Sequence, residues 1–340
     1  MEISRFKRAA FTTVVGLAAV GLTACSGGGT PAATSSAGAS GGPIDMSPAT
    51  INLILAPVFY EPVYIAQEQG YFKDQNLTVN IVQGGTAAEN TAQLISGQAD
   101  IAMSSAAAQI PAVAQGIPLQ SILGATSSDP KVVTSGLLVR PDSSVTGPKD
   151  YVGKTICLQG LNETTHLGTL LLMQQAGIAD PLNAAKFVQL PLADLVPKTL
   201  DGTCDISYPI GNAYAAGLAQ GLKPVGEPSN DVLALGPSVT YAATKDWISS
   251  HTDIVKRFQA AIEKAADLGR QDNFAEIRKI QHEYSKTDSN VIDTQVLAGY
   301  QTDMYTSGWQ KTIDGMAEFK MIDHPITIQD AVSSLAPMQP

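Results

Sequence analysis

Short apolar runs and stretches of helical spacing alternate along most of the chain. Ile51–Leu55 reads as a buried strand, Val63–Phe72 as a helix closing near Gly70, Thr78–Val82 as a strand, and Thr86–Ile95 as a helix before Gly97. Ile101–Met103 and Leu119–Ala125 predict two further strands, with a short helix near Ala106–Ala114 between them. A second series starts near Tyr151. Its strands are Thr155–Leu158, Phe187–Leu190 and Asp205–Tyr208, and its helices Thr165–Gln175 and Leu192–Leu200. Leu137–Pro141 reads as an extended segment leaving the first sheet, and Val239–Ala243 as a return segment. Beyond residue 250 the spacing of Val255, Phe258, Ile262 and Ala265, and then of Ile277, Ile280 and Tyr284, is helical, which we assign to packing. Strand–helix–strand alternation with short connections predicts an α/β fold with parallel sheets covered by helices.

The first residues break this pattern. Arg5, Lys7 and Arg8 precede an apolar run from Ala9 to Leu22, followed by Thr23, Ala24 and Cys25. A basic region, a short apolar core and small residues describe a secretory signal over residues 1–24. The run is well short of the roughly 20 residues that cross a bilayer. Leu22-Thr23-Ala24-Cys25 resembles the bacterial lipobox, in which the cysteine is acylated, by palmitate for example, after cleavage before it. From Ser26 to Pro48 the chain is mostly Gly, Ser, Ala, Thr and Pro, with Asp45 its single charge. Residues 25–48 are therefore expected to be a lipidated cysteine and a flexible linker. The expected location is the cell membrane, anchored on its extracytoplasmic side.

The formal charge is −10. Loss of residues 1–24, with one acid and three bases, would make the remainder more negative still. Nucleic acid, which needs a basic surface, is excluded as a partner. With Cys25 assigned to lipid, Cys157 and Cys204 remain. Each falls on a strand of the same predicted sheet, and outside the cytoplasm two thiols can pair; the sequence leaves open whether they do.

Catalytic and metal motifs are sparse. His166, His251, His282 and His324 are scattered, and His282-Glu283 does not continue to a second histidine at zincin spacing. No cysteine pair has zinc-site spacing, and no Gly-x-Ser-x-Gly elbow occurs. Gly153-Lys154-Thr155 ends like a phosphate loop, but Pro148 stands where a glycine is required. We therefore expect a protein that is not an enzyme, with no cofactor and no bound metal.

What remains is a set of loop corners. In open α/β sheets ligands sit beyond the C-terminal strand ends, where helices begin and unpaired N–H groups attract polar atoms. Gly85 and Thr86 follow the second strand, Thr86 and Glu89 having the spacing of a capping box. Ser104 and Ser105 follow the third. Asn162, Thr164 and Thr165 open a helix of the second series. For each of these the alternative is plain helix capping. Phe59, Tyr60 and Glu61 follow the first strand, where aromatics can wall a ligand and a carboxylate can accept from an amine; the alternative is a packing cluster. Tyr208 and Asn212 lie at and beyond the last strand of the second series. Arg140 is read as a hinge or surface residue.

Several segments then match a family in order. Pro62-Val63-Tyr64-Ile65-Ala66-Gln67-Glu68-Gln69-Gly70-Tyr71-Phe72 resembles the P-x-Y-x-A-x-x-x-G-Y-F segment of solute-binding proteins of ABC importers for nitrate, sulfonates, taurine and thiamine-precursor pyrimidines. Leu94–Ile101, Lys149–Thr155 and Leu200–Asp205 resemble its L-x-x-G-Q-A-D, D-L-x-G-K and L-x-x-G-x-x-D segments. The resemblance implies a type II periplasmic binding protein: two doubly wound α/β lobes joined by two crossing hinge segments, with the ligand cleft between them. Residues 49–140 plus 241–340 would form lobe 1, and 141–240 lobe 2. It further implies a monomer that captures a small organic molecule or oxyanion and delivers it to an ABC permease of the inner membrane. The cysteine-rich signature of the pyrimidine synthase branch is not found. An enzyme on the same scaffold, a pyrimidine synthase or extracellular hydrolase with His166 as its reactive candidate, and a ligand sensor are the alternatives.

Overall fold

Two five-stranded sheets carry the fold in the computed structural model, which describes residues 43–127, 131–297 and 299–340. The signal segment, Cys25 and most of the expected linker lie outside the described residues. The strands in chain order are β1 (Ala49–Leu55), β2 (Leu77–Gln83), β3 (Ile101–Ser105), β4 (Leu119–Ser127), β5 (Leu137–Val139), β6 (Thr155–Leu158), β7 (Lys186–Gln189), β8 (Ile206–Ser207), β9 (Lys223–Gly226) and β10 (Pro237–Thr244). The first sheet has the order β2-β1-β3-β10-β4 and the second β7-β6-β8-β5-β9.

Neither sheet is wholly parallel. β1 runs parallel to β2 and β3, and β6 parallel to β7 and β8. β10 runs antiparallel to β3 and β4, and β5 antiparallel to β8 and β9. In each sheet the strand reached by crossing from the other runs against its neighbours. Leu137–Val139 is thus an interior strand of the second sheet, where an extended segment trailing from the first was expected. The change of sheet comes before Leu137 on the way out and before Pro237 on the way back.

The helices that shape the cleft follow strand ends. α1 (Glu61–Glu68) and α2 (Tyr71–Asp74) replace the single helix expected over 63–72. Gly70 between them has φ +73, in the left-handed region that glycine adopts without a Cβ penalty. α3 (Ala87–Ile95), α4 (Ala106–Ala114) and α5 (Thr164–Gln175) follow β2, β3 and β6.

Each sheet has its own apolar core. Ile51, Leu53 and Leu55 of β1 pack with Val63, Phe258 and Ile262 under the first. Leu167 and Leu170 of α5 pack with Trp309, Ile313 and Met316 under the second. The helix Thr252–Gly269 therefore serves the first sheet, whereas Thr306–Glu318 lies on α5. Gly315 allows that approach, since a Cβ there would stand 3.1 Å from Leu167 Cδ1. Buried Arg257 donates to the carbonyls of Ser47 (2.9 Å) and Gln75 (3.0 Å). The compact body starts at Ile44, so packing begins inside the stretch read as linker.

Cys157 and Cys204 are joined by a disulfide, with Cα atoms 5.9 Å apart, buried against Leu195. The bridge ties β6 to the turn that leads into β8. It closes a loop across a sequence separation of 47, for which chain entropy alone predicts on the order of 4 kcal/mol. Replacing both cysteines with serine should lower the unfolding free energy by about 2–4 kcal/mol. Urea unfolding of oxidised protein, reduced protein and the double variant checks this; equal midpoints for all three would refute it.

Candidate functional site

The C-terminal ends of β1, β3, β4 and β6 open on one chamber. It is open to solvent and has walls from both sheets. The first sheet's side contributes Phe59, Ser104, Ser105, Thr126 and Ser127. The other side contributes Thr134, Ser135, Gln159, Glu163, Thr164 and Thr165. A wider cleft continues outward and shares Phe59, Thr134, Gln159 and Ile210 with the chamber. Its outer walls are largely apolar, with Leu190, Leu192 and Val196 on one side and Tyr284, Val296 and Leu297 on another.

The helix starts around the chamber are mostly satisfied by their own residues. Thr86 and Glu89 form a reciprocal capping box at the start of α3: the Thr86 N–H donates to Glu89 Oε2 (2.7 Å) and the Glu89 N–H to Thr86 Oγ1 (3.3 Å). Buried Asn90 receives the Gly85 N–H (3.0 Å) and donates to the carbonyls of Leu55 and Met103. A Cβ on Gly84 would fall 2.3 Å from both Asn90 Oδ1 and the Leu55 carbonyl, so this turn needs glycine. Ser104 Oγ donates to the Ala87 carbonyl (2.8 Å) and meets Thr91 Oγ1 (2.7 Å). Ser105 Oγ caps α4 by accepting the Ala108 N–H. α5 differs: it has no side-chain cap, and Thr164 Oγ1 is buried without a hydrogen-bond partner.

Glu163, the residue before α5, is 9% exposed and lines the chamber. Burial pushes its carboxyl up to about 7, against a smaller opposing pull from the Ala88 N–H in the first turn of α3. A Cβ on Gly160 would lie within 2.3–2.6 Å of the Glu163 carboxyl atoms, so the carboxyl folds over Gly160 and would have to move if a side chain were added there. His166 is buried one turn on. Its Nδ1 accepts the Asn162 N–H (3.0 Å), its ring meets Phe187 edge-on, and burial lowers its pKa to about 4.

The other sequence candidates spread outward. Phe59 stands between chamber and cleft with φ +59 and its ring edge-on to Tyr300 (centroids 5.6 Å). A bulky residue in the left-handed region is strained, and neighbours must hold it there. Tyr60 is packed edge-on to Tyr64 in the core. Glu61 is 3% exposed; Gln281 Nε2 donates to it (2.7 Å) and Gln295 Nε2 donates in turn to Gln281. Burial raises its pKa. Gly85, Thr86 and Asn212 line only the outer cleft, where Asn212 Nδ2 reaches Thr287 Oγ1 (3.2 Å). Tyr208 lies behind the chamber wall, its hydroxyl on Ser229 Oγ (2.8 Å). Asn162 lines neither space. Arg140 pairs with Asp142 away from both.

This geometry can be set beside known proteins. The model of the NMT1/THI5-like family matches residues 60–272. The chain belongs to that family. The family match agrees with the resemblance read from the ordered segments. A 4-amino-5-hydroxymethyl-2-methylpyrimidine phosphate synthase of Candida albicans is 27% identical over 237 residues, 64% of this chain and 65% of the relative, so the chain spans a little under two thirds of that protein. A putative binding protein, YtlA, of Bacillus subtilis is 24% identical over 247 residues, 70% of this chain and 71% of the relative. The periplasmic aliphatic sulphonate binding protein SsuA of Escherichia coli superposes with a TM-score of 0.69 at 17% identity, covering 84% of this chain and 98% of SsuA. The NMT1/THI5-like chain thus has the periplasmic binding protein fold, with two α/β lobes. The expectation that it is not an enzyme does not stand: the Candida relative and further fungal relatives at 23–24% identity carry an enzyme's name. That expectation rested on missing nucleophile and metal motifs, and relatives so named share this scaffold.

Glu163 and His166 bear oppositely on stability. Glu163 titrates near 7 instead of 4.5, so its stabilising protonated form is complete below 4.5 and lost as pH rises to 7. His166 titrates near 4 instead of 6.5, so the folded state loses stability as pH falls from 6.5 to 4. The two slopes oppose each other between 4.5 and 6.5. Glu163→Gln should remove the first, so that the variant gains on the parent protein by on the order of 3 kcal/mol between pH 4.5 and 7.5. Urea titrations at the two pH values check this; a difference that does not change with pH would show that Glu163 is not desolvated.

Proposed function

We propose that the protein is an extracytoplasmic solute-binding protein that captures a small molecule between its two lobes and delivers it to an ABC permease. The observation that carries this reading is the chamber itself. It takes side chains from both sheets, and the first turns of α3, α4 and α5 meet around it. A ligand touching both walls favours the closed arrangement, and closure is a signal a permease can read. The name and fold of SsuA and the name of YtlA support the same role. Lipidation at Cys25, read from the sequence, would keep the binder beside its transporter. Thr164 and Thr165 on one wall and Ser104, Ser105 and Phe59 on the other are the proposed contacts.

The names of the fungal relatives favour a second reading, chemistry on a pyrimidine held in the same chamber. Recovery of the bound compound separates the two, since a carrier returns it unchanged and an enzyme returns product.

Thermal unfolding against sulfonates, nitrate, aminopyrimidines and aromatic acids tests capture. A true ligand at a hundred times its Kd should add about 2.7 kcal/mol of stability. Removing the Thr164 and Thr165 hydroxyls with alanine should weaken binding by roughly tenfold. Calorimetric titration reads this, and unchanged affinity would remove that corner from the site.

A further inference from the structure

The chamber's polar lining carries one ionisable group. Among the described residues around it none is Lys, Arg or His, and Glu163 is the single acid. An anion held here would need positive potential from helix starts, yet α3 is closed by its capping box and α4 by Ser105, and the start of α5, which has no side-chain cap, carries Glu163 itself as its N-cap residue. What the chamber offers is an acceptor. Glu163 is nine-tenths buried, its carboxyl is folded over Gly160, and the next residue carries the unpartnered Thr164 Oγ1. An ionised carboxylate in such a place is stabilised by a donor and destabilised by a second negative charge.

We propose that Glu163 selects the ligand by charge, so that the chamber takes a compound presenting an N–H donor, such as an amine, amidine or ring amine, and rejects one presenting an anionic head. This rests on the solute-binding reading and deepens it. Thr164 Oγ1 supplies a hydroxyl beside the carboxyl, and Gln159, Thr134 and Ser135 supply neutral partners around it. Glu61, a buried acid of the outer cleft, accepts from Gln281 at one oxygen, leaves Oε2 without a partner, and does not line the chamber.

The test uses pairs that differ only in the head group: acetamidine with acetate, and benzamidine with benzoate, with benzenesulfonate added. Thermal unfolding of the purified protein ranks them, and calorimetry measures those that bind. The amidines should bind more tightly than the matched anions by roughly tenfold or more. In Glu163→Gln that preference should shrink to within about threefold, because a neutral amide keeps the shape and loses the charge. In Glu163→Asp, which keeps the charge, the amidines should still be preferred. Anions that bind as well as their amidines, or a preference that survives in Glu163→Gln, would overturn charge selection while leaving solute binding intact. If no compound in this series or in the wider panel stabilises the protein, solute binding fails, and charge selection with it.

Discussion

The first sheet cannot be completed until the chain has returned from the second. β10 lies between β3 and β4, pairing Thr240 with Ser104 on one side and with Gly124 on the other. Its place is fixed by polar as well as apolar contacts. Gln109 Nε2 donates to Thr240 Oγ1 (2.9 Å), Ser121 Oγ donates to Gln109 Oε1 (2.8 Å), and the Ser121 and Thr240 hydroxyls meet at 2.9 Å. All three residues are buried, so a loss of pairing here would leave polar atoms without partners. The second sheet takes β5 in the same way. Two crossings follow from this topology, and strand ends from both sheets face a common space.

Much of this was legible because it depends on local pattern. The runs that became β1, β2 and β6 are apolar and short, and α3 and α4 begin after Thr and Ser residues that cap them. The antiparallel entries of β5 and β10 were not legible, since direction within a sheet is set by the route of the chain and leaves no trace in spacing. β9 was missed because Lys223-Pro224-Val225-Gly226 has neither length nor β-branched density. The packing of the helix Thr306–Glu318 on α5 was not read from the sequence, because which surface an apolar face meets is a tertiary fact.

The site was partly legible for the same reason. The strand-end rule found Ser104, Ser105, Thr164 and Thr165, which line the chamber. Applied one or two residues further it would have found Gln159 after β6, and Thr126 and Ser127, which end β4 beyond the Ala125 expected as its limit. Thr134, Ser135 and Ser229 lie where the chain passes between sheets, and no periodicity marks them. Tyr60 and Glu61 show the converse. They sit at a strand end as the rule requires, yet they line the outer cleft and not the chamber, Tyr60 packed into the core and Glu61 accepting from Gln281.

Glu61 and Glu163 are two buried acids that differ in the space they face, the outer cleft for Glu61 and the chamber for Glu163. Both are buried, and burial raises both. Around Glu61 the protein supplies a chain of donors, Gln295 to Gln281 to one carboxylate oxygen, while the other, Oε2, is buried without a partner. Around Glu163 it supplies one backbone N–H from α3 and a neighbouring hydroxyl that has no partner, and then an open space. A buried charge left so incompletely answered costs stability. Glu163 lines the chamber, so a further donor to its carboxyl has to come from there.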